Sequence, residues 1–496
     1  MTPQANFTML AWMPVVVLGF FRFLPPRRAV IVSFIGAWLF LPQRVSFEFL
    51  GLPDYDRMSA TCYSIFLATV VYDAQRFRSF KVTWLDVPMI VWCFLGPFST
   101  ALVNGLGAYE GASAVLDRVV AYGLPYFFGR VYLNDWIGQR QMAISMFVSG
   151  LIYAPLCVLE VIISPQLHRM VYGYHGINQF SQGMRLGGFR PTVFMRHGLS
   201  VGMWMMAATL IGLWLWQSGV LKSLWAIPMA VLIAGMIVTV VLVKSTGAYA
   251  YLIYGVLVLF VAKWFRTSLP LLVLIVLLSG YLGLAASGNF SGESKDRIVS
   301  ISADIAGEER SQSLQFRLDN EEVLGEKARE QPIFGWGRWG RNRVYDYDWS
   351  GELVDTVVTD SMWIQAFGVN GIIGLISIVA VQFTPALVFM VRYPAHTWFT
   401  PLVAPAAALN VVIVLYMLDC TLNNQVNPVY SVVSGGIIGL LVQRAPAVSR
   451  TPGASHSMIK PSIKSSTNLT KVSARLARKR RLNRALPAGA PRLHDS

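Results

Sequence analysis

Charge is scarce in this chain. Only 14% of its 496 residues are Asp, Glu, Lys or Arg, where soluble domains carry about 25%. Hydrophobic residues make up 54% and the mean hydropathy is +0.51. That deficit, with repeated apolar runs, excludes an ordinary soluble domain and indicates a polytopic membrane protein. Cysteine is nearly absent: Cys62, Cys93, Cys157 and Cys420 fall in or at the ends of apolar runs. No pair of them reads as a disulfide or a zinc site, so packed thiols are expected. There is no P-loop, the histidines are scattered, and Asp346-Tyr347-Asp348 is a DxD-like pair, a pattern more often found in solvated loops. No metal, cofactor or nucleic acid partner is expected. The first apolar run lacks a basic start and a small-residue exit, so it reads as a retained span and not a signal peptide.

Apolar stretches of about 20 residues read as spans. They fall near 7–24, 28–44, 57–74, 83–104, 112–132, 140–163, 197–217, 223–243, 246–264, 268–287, 362–391, 399–419 and 428–444. The fold class is therefore an all-α integral membrane protein with twelve to thirteen transmembrane helices and a large outer loop. The 362–391 run is long, so it is read as tilted or as projecting from the bilayer. Arg22, Arg27, Arg28, Arg76, Arg78, Lys81, Arg140, Lys222, Lys263, Arg266 and Arg392 lie in connections on one side. That side reads as cytoplasmic. The N-terminus, the first outer loop (165–196) and the large loop (288–358) then lie outside. The transmembrane domain is expected over 1–444. Much of the net charge of +15 sits in a basic cytoplasmic tail (445–496), expected to be disordered up to Lys471.

The polar residues that remain concentrate in the two outer loops. The first ends in Arg185-Leu186-Gly187-Gly188-Phe189-Arg190-Pro191, followed by Arg196-His197. Arginines outside run against the usual charge bias, and a guanidinium fork matches phosphate oxygens. The competing reading is a solvated loop whose arginines meet lipid headgroups. The second loop holds Arg317, a helix expected to about Glu330, and then Pro332-Ile333-Phe334-Gly335-Trp336-Gly337-Arg338. Trp336 and Trp339 either anchor at the interface, the commoner use, or stack on sugar rings. Asp360-Ser361 opens the next span, and Asp360 is either a helix N-cap or a base for an attacking hydroxyl. Asp117, Arg118 and Arg130 fall within the fifth span; Arg130 is expected to snorkel to the cytoplasmic face. Asp419, Asn423, Asn424 and Asn427 are read as closing a tight outer turn.

Arg317, the Pro332–Gly337 run, the polar pair at 360–361 and Gly371, in this order, resemble the O-antigen ligase and polymerase superfamily, closest to its exopolysaccharide polymerases. The Arg185–Arg190 loop and Lys244-Ser245-Thr246-Gly247-Ala248 are similar to that branch as well. The resemblance covers roughly residues 180–380. It implies a membrane-embedded glycosyltransferase of the GT-C-like class in the bacterial inner membrane, with its site facing the periplasm. The donor would be a saccharide on undecaprenyl diphosphate, and an acceptor hydroxyl would displace the lipid diphosphate. Arg185, Arg190, Arg196 and Arg338 would bind the diphosphate, Arg317 and Asp360 would be catalytic, and Trp336 and Trp339 would meet sugar. A chain-length regulator and a flippase are implied partners. Family ligases carry a histidine where this chain has Asp360, which favours a polymerase over a lipopolysaccharide ligase. A ligase acting on another acceptor and a transporter of the lipid-linked glycan are the competing functions.

Overall fold

A computed structural model describes residues 2–49, 51–176, 183–185, 187–290 and 292–443. The basic tail, Leu186 and part of the first outer loop lie outside the described residues.

Every span read from the sequence corresponds to a helix. In chain order these are α1 (Pro3–Phe23), α2 (Pro26–Phe40), α3 (Arg57–Tyr72), α4 (Trp84–Val103), α5 (107–132), α6 (Trp136–Ile163), α7 (Gly198–Gln217), α8 (Met229–Leu242), α9 (Thr246–Phe265) and α10 (Leu269–Ser287). Two helices, the amphipathic α11 (Glu293–Ala306) and the charge-rich α12 (Glu308–Arg329), occupy the large loop. The bundle closes with α13 (Met362–Arg392), α14 (Ala404–Leu422) and α15 (Pro428–Val442). Among the described residues, eight of the helices are long and apolar enough to cross a membrane. The rest are shorter or less apolar. The chain is thus an all-α polytopic membrane protein. Among the described residues strand is confined to short hairpins, including β1 (Met184–Arg185) with β2 (Gly188–Phe189) and β3 (Tyr345–Tyr347) with β4 (Leu353–Asp355).

Helices α7 and α14 are buried over 89% of their apolar windows and form the centre of the bundle. Helices α5 and α15 pack backbone against backbone. A methyl group added at Gly129 would overlap the Val432 carbonyl, and one at Gly435 would overlap the Tyr126 carbonyl. Small residues that let backbones touch are how helices associate where lipid offers no hydrophobic drive. Near this seam Arg130 departs from the expected snorkel. It is 6% exposed, with Nε 2.7 Å and Nη2 2.9 Å from the two Asp86 oxygens. Tyr126 donates to the same carboxylate at 2.7 Å, and Thr83 donates through its N–H and its hydroxyl. A planar fork on a fully hydrogen-bonded carboxylate meets the cost of burial better than a solvated head would here.

Candidate active site

The long apolar run at 362–391 is not one straight helix. Gly371 has φ 62° and ψ −160°, so α13 is broken there. The break strands the carbonyls of Gly368 and Val369 and the N–H of Ile372. The Pro332–Gly337 segment satisfies all three: Trp336 N–H donates to Gly368 (2.9 Å), Gly337 N–H to Val369 (2.9 Å), and Ile372 N–H to Pro332 (2.8 Å). Asn104 of the α4–α5 turn donates to the Gly335 carbonyl at 2.8 Å. Unpaired backbone groups at such a depth are too costly to leave. The loop motif and the span glycine, 36 residues apart as numbered (371 − 335), are therefore one structural unit.

The break also sets the position of the residues before it. Met362 begins α13 and Ser361 is its N-cap, without a side-chain capping bond. Asp360 therefore lies one residue outside the cap position, and the capping role expected for it falls away. Its Oδ2 is 3.6 Å from Arg317 Nε. Arg317, on α12, also donates to the Leu422 carbonyl at the end of α14, at 3.3 Å. One turn back, Asp419 is 4% exposed and accepts from Asn423 (2.9 Å) and Gln425 (3.0 Å). Arg317 and Arg190 are its nearest cationic influences. The α14–α15 connection is a turn, as read from the sequence, with Asn427 capping α15. It also places a buried carboxylate within electrostatic reach of two arginines.

Arg190 comes to this cluster from the first loop. Fully buried Glu160 of α6 accepts from the N–H groups of Leu167 (2.8 Å), Thr192 (2.8 Å) and Val193 (2.7 Å). Tyr153 adds a bond from Phe194 N–H at 3.1 Å. These clamps hold Val193 at φ 51°, a conformation a β-branched residue adopts only under constraint. Arg190 is 4% exposed, lies across Gly198, where a Cβ would come 2.6 Å from its Nε, and donates to Ser245 Oγ at 3.3 Å. The β1–β2 hairpin rests on Lys244, whose Nζ occupies the space a Gly188 side chain would need. The two motifs singled out in the first loop and at 244–248 thus meet.

His197 caps α7, its Nδ1 accepting from Leu199 N–H at 3.1 Å. Burial, and then Arg190 and Arg317, push its pKa down to about 4. An imidazole that stays neutral when folded but binds a proton when unfolded makes the fold lose stability as pH falls from about 6.5 towards 4. His197→Asn keeps a capping side chain and removes the titration. Its melting temperature should fall less steeply over that window than the parent's; parallel curves would defeat the assignment.

Of the other residues read as diphosphate ligands, Arg185 and Arg196 are electrostatic neighbours of His197. Arg338 is not brought to the cluster: it is largely exposed and 3.6 Å from Glu110 of α5. Trp336 donates its indole N–H to the Lys327 carbonyl (2.8 Å) and has Lys327 Nζ 4.0 Å over its ring. Trp339 is exposed beside Arg343, at 5.1 Å. Glu321, one turn after Arg317, was not singled out in the sequence. It is buried, accepts from Tyr281 Oη at 2.7 Å, and burial raises its pKa. A glutamate on a charge-rich helix gives no sign of which face turns inward. Asp419 did carry a signal, an acid within an apolar run. In the fifth span, Arg118 donates to Asn370 at 3.5 Å and lies 4.3 Å over Trp92, beside the break in α13.

Two basic loops and the buried carboxylate of a third connection thus converge at one end of the bundle. Such an arrangement can hold a dianionic group between guanidinium forks. Residues 229–379 match the O-antigen ligase family model. No curated protein matches the chain, and no solved structure does. The matched segment contains Lys244, Ser245, Arg317, Asp360 and the joined Gly335 and Gly371, and over this stretch the chain is similar to the O-antigen ligase family.

Proposed function

We propose that the protein is a polysaccharide polymerase joining saccharide units carried on undecaprenyl diphosphate, at the outer face of the bacterial inner membrane. The observation that carries this reading is that Arg190 and Arg317, from separate loops, both lie within electrostatic reach of Asp419 and of His197. The acceptor hydroxyl oxygen forms a bond to the anomeric carbon of the donor. The bond from that carbon to the phosphate oxygen breaks, and its electron pair leaves with the lipid diphosphate. Arg190, Arg317 and Arg185 stabilise the charge that grows there. The hydroxyl proton goes to Asp360, which is 40% exposed on its side chain and open to an incoming acceptor. Asp419 has both oxygens engaged by amides, so its role is to hold the two arginines together when the donor is absent.

This division makes a prediction. Asp360→Asn should lower turnover by about 10²–10⁴-fold with donor affinity kept. Asp419→Asn should weaken donor binding instead. Filter binding of radiolabelled lipid-linked donor beside single-turnover rates separates the two, and reversed effects would exchange the roles.

The matched family is named for ligases, so a ligase reading stands beside the first. Purified full-length protein, given an undecaprenyl-diphosphate-linked repeat unit, tests both. Longer lipid-linked chains on a gel support the polymerase. No extension by folded protein, with transfer to an added acceptor, supports the ligase.

A further inference from the structure

A groove of about 580 Å³ opens between the C-terminal half of α12 and the segment after Gly337. That volume is in the range of ~300–1,000 Å³ common for ligand sites. Glu326, Lys327, Trp336, Arg341 and Tyr345 are among its lining residues. Glu326 lies nine residues beyond Arg317 on the same helix (326 − 317), about 13 Å along its axis. The groove is therefore separate from the arginine cluster but within the length of a short sugar chain.

The groove continues onto an exposed hairpin. Tyr345 lines it, and alternation along β3 puts Tyr347 on the same face, about 6.6 Å further out. Trp349 follows at the hairpin tip. Tyr347 is 72% and Trp349 99% exposed. Asp348 is spent on the turn, accepting from Ser350 N–H (2.8 Å), Ser350 Oγ (2.6 Å) and Glu352 N–H (3.0 Å). The hairpin is thus held in shape without using its aromatic rings. Glu326 and Arg341 have no side-chain hydrogen bond or ion pair among the described residues. Three rings in file, leading from a groove edged by a carboxylate and a guanidinium, suit a ligand with apolar sugar faces and hydroxyl edges. Asp346 and Glu352 beside the rings oppose an anionic lipid surface, which selects a glycan over the membrane as the occupant.

We infer that the groove and the Tyr345–Trp349 hairpin bind the glycan strand itself, as a track for an uncharged or weakly charged saccharide several residues long. The inference rests on the polymerase reading and adds a place for the chain away from the bond being made. The rings set how long a strand is retained, while the arginine cluster sets whether a unit is joined.

The test uses full-length protein in detergent and sized, mild-acid fragments of the polysaccharide secreted by cells that carry it. Calorimetric Kd should tighten with fragment length. In the variant Tyr345→Ala/Tyr347→Ala/Trp349→Ala it should weaken at least about tenfold. Trp349→Ala alone, at a side chain that packs on nothing, should show part of that loss with the melting temperature unchanged. Arg317→Ala should bind fragments as the parent does. In turnover the triple variant should give shorter products with the first transfer unaffected. Equal fragment affinity in parent and triple variant overturns the inference, as does a parent that polymerises but binds no fragment. A hairpin whose removal changes only partition onto anionic-lipid vesicles overturns it too. Fragment binding through the rings with no extension of lipid-linked donor leaves the track standing and removes the polymerase.

Discussion

Arg317→Ala is expected to abolish polymer formation in protein that still folds and reaches the membrane. The guanidinium is about a quarter exposed, and its contacts are one carbonyl at 3.3 Å and one carboxylate at 3.6 Å. Both are longer than the 2.7–2.9 Å of a charge-assisted bond made for stability. The fold loses little when they go. In the proposed reaction the substitution removes the fork that would meet the leaving diphosphate. Removal of one such donor costs about 10²–10³ in rate, and loss of Asp360's partner adds to it. Arg317→Lys keeps the charge without the planar fork and should recover only part of the activity. The check is a gel of extracted polysaccharide beside a blot for protein level, with lipid-linked units quantified in the same cells. Normal polymer from Arg317→Ala would remove this residue from the reaction.

Gly335→Val is expected to prevent the protein from folding. At φ +66° an L side chain is already strained, by roughly 1–2 kcal/mol. Here the added Cβ would also sit 2.5 Å from Gly371 N, 2.6 Å from the Val369 carbonyl carbon and 2.7 Å from Asn370 N. None of these atoms belongs to a side chain that could rotate away. The three backbone bonds that close the break in α13 would separate, leaving unpaired groups inside the bundle, and the combined cost exceeds ~4 kcal/mol. Gly351→Val is the matched control. It has φ +80° with nothing within 4 Å of the added carbon, so it carries the strain without the collision. Expected results are near-normal yield and a small melting shift for Gly351→Val. Gly335→Val should give no monodisperse protein by detergent size exclusion. Normal melting of Gly335→Val would show that the motif does not plug the break.

The helical layout was legible because a span needs only an apolar run of the right length, and hydropathy reports that directly. The break in α13 was not, since Gly371 sits within residues that are apolar on both sides of it. Only the loop that fills the break reveals it, and that contact joins residues distant in sequence. Arg130 is hidden from the sequence for a related reason. Its depth in the span suggested a cytoplasmic exit, whereas its true partner, Asp86, lies on another helix. The positions of Arg190 and Arg317 were anticipated as types and loops. Their common electrostatic reach to Asp419 depends on Glu160, an acid whose three backbone partners cannot be read from its neighbours in sequence.

The closed break in α13 bears on how such proteins can be recombined. Taken by its polarity, the 288–358 segment looks like a cassette that could be exchanged between related proteins to change sugar preference. Its Pro332–Gly337 turn, however, supplies hydrogen bonds that the backbone at 368–372 lacks. A graft ending at 358 would bring a key cut for another lock. The smallest transplantable piece runs from the end of α10 through Ile372, so that turn and helix break travel together.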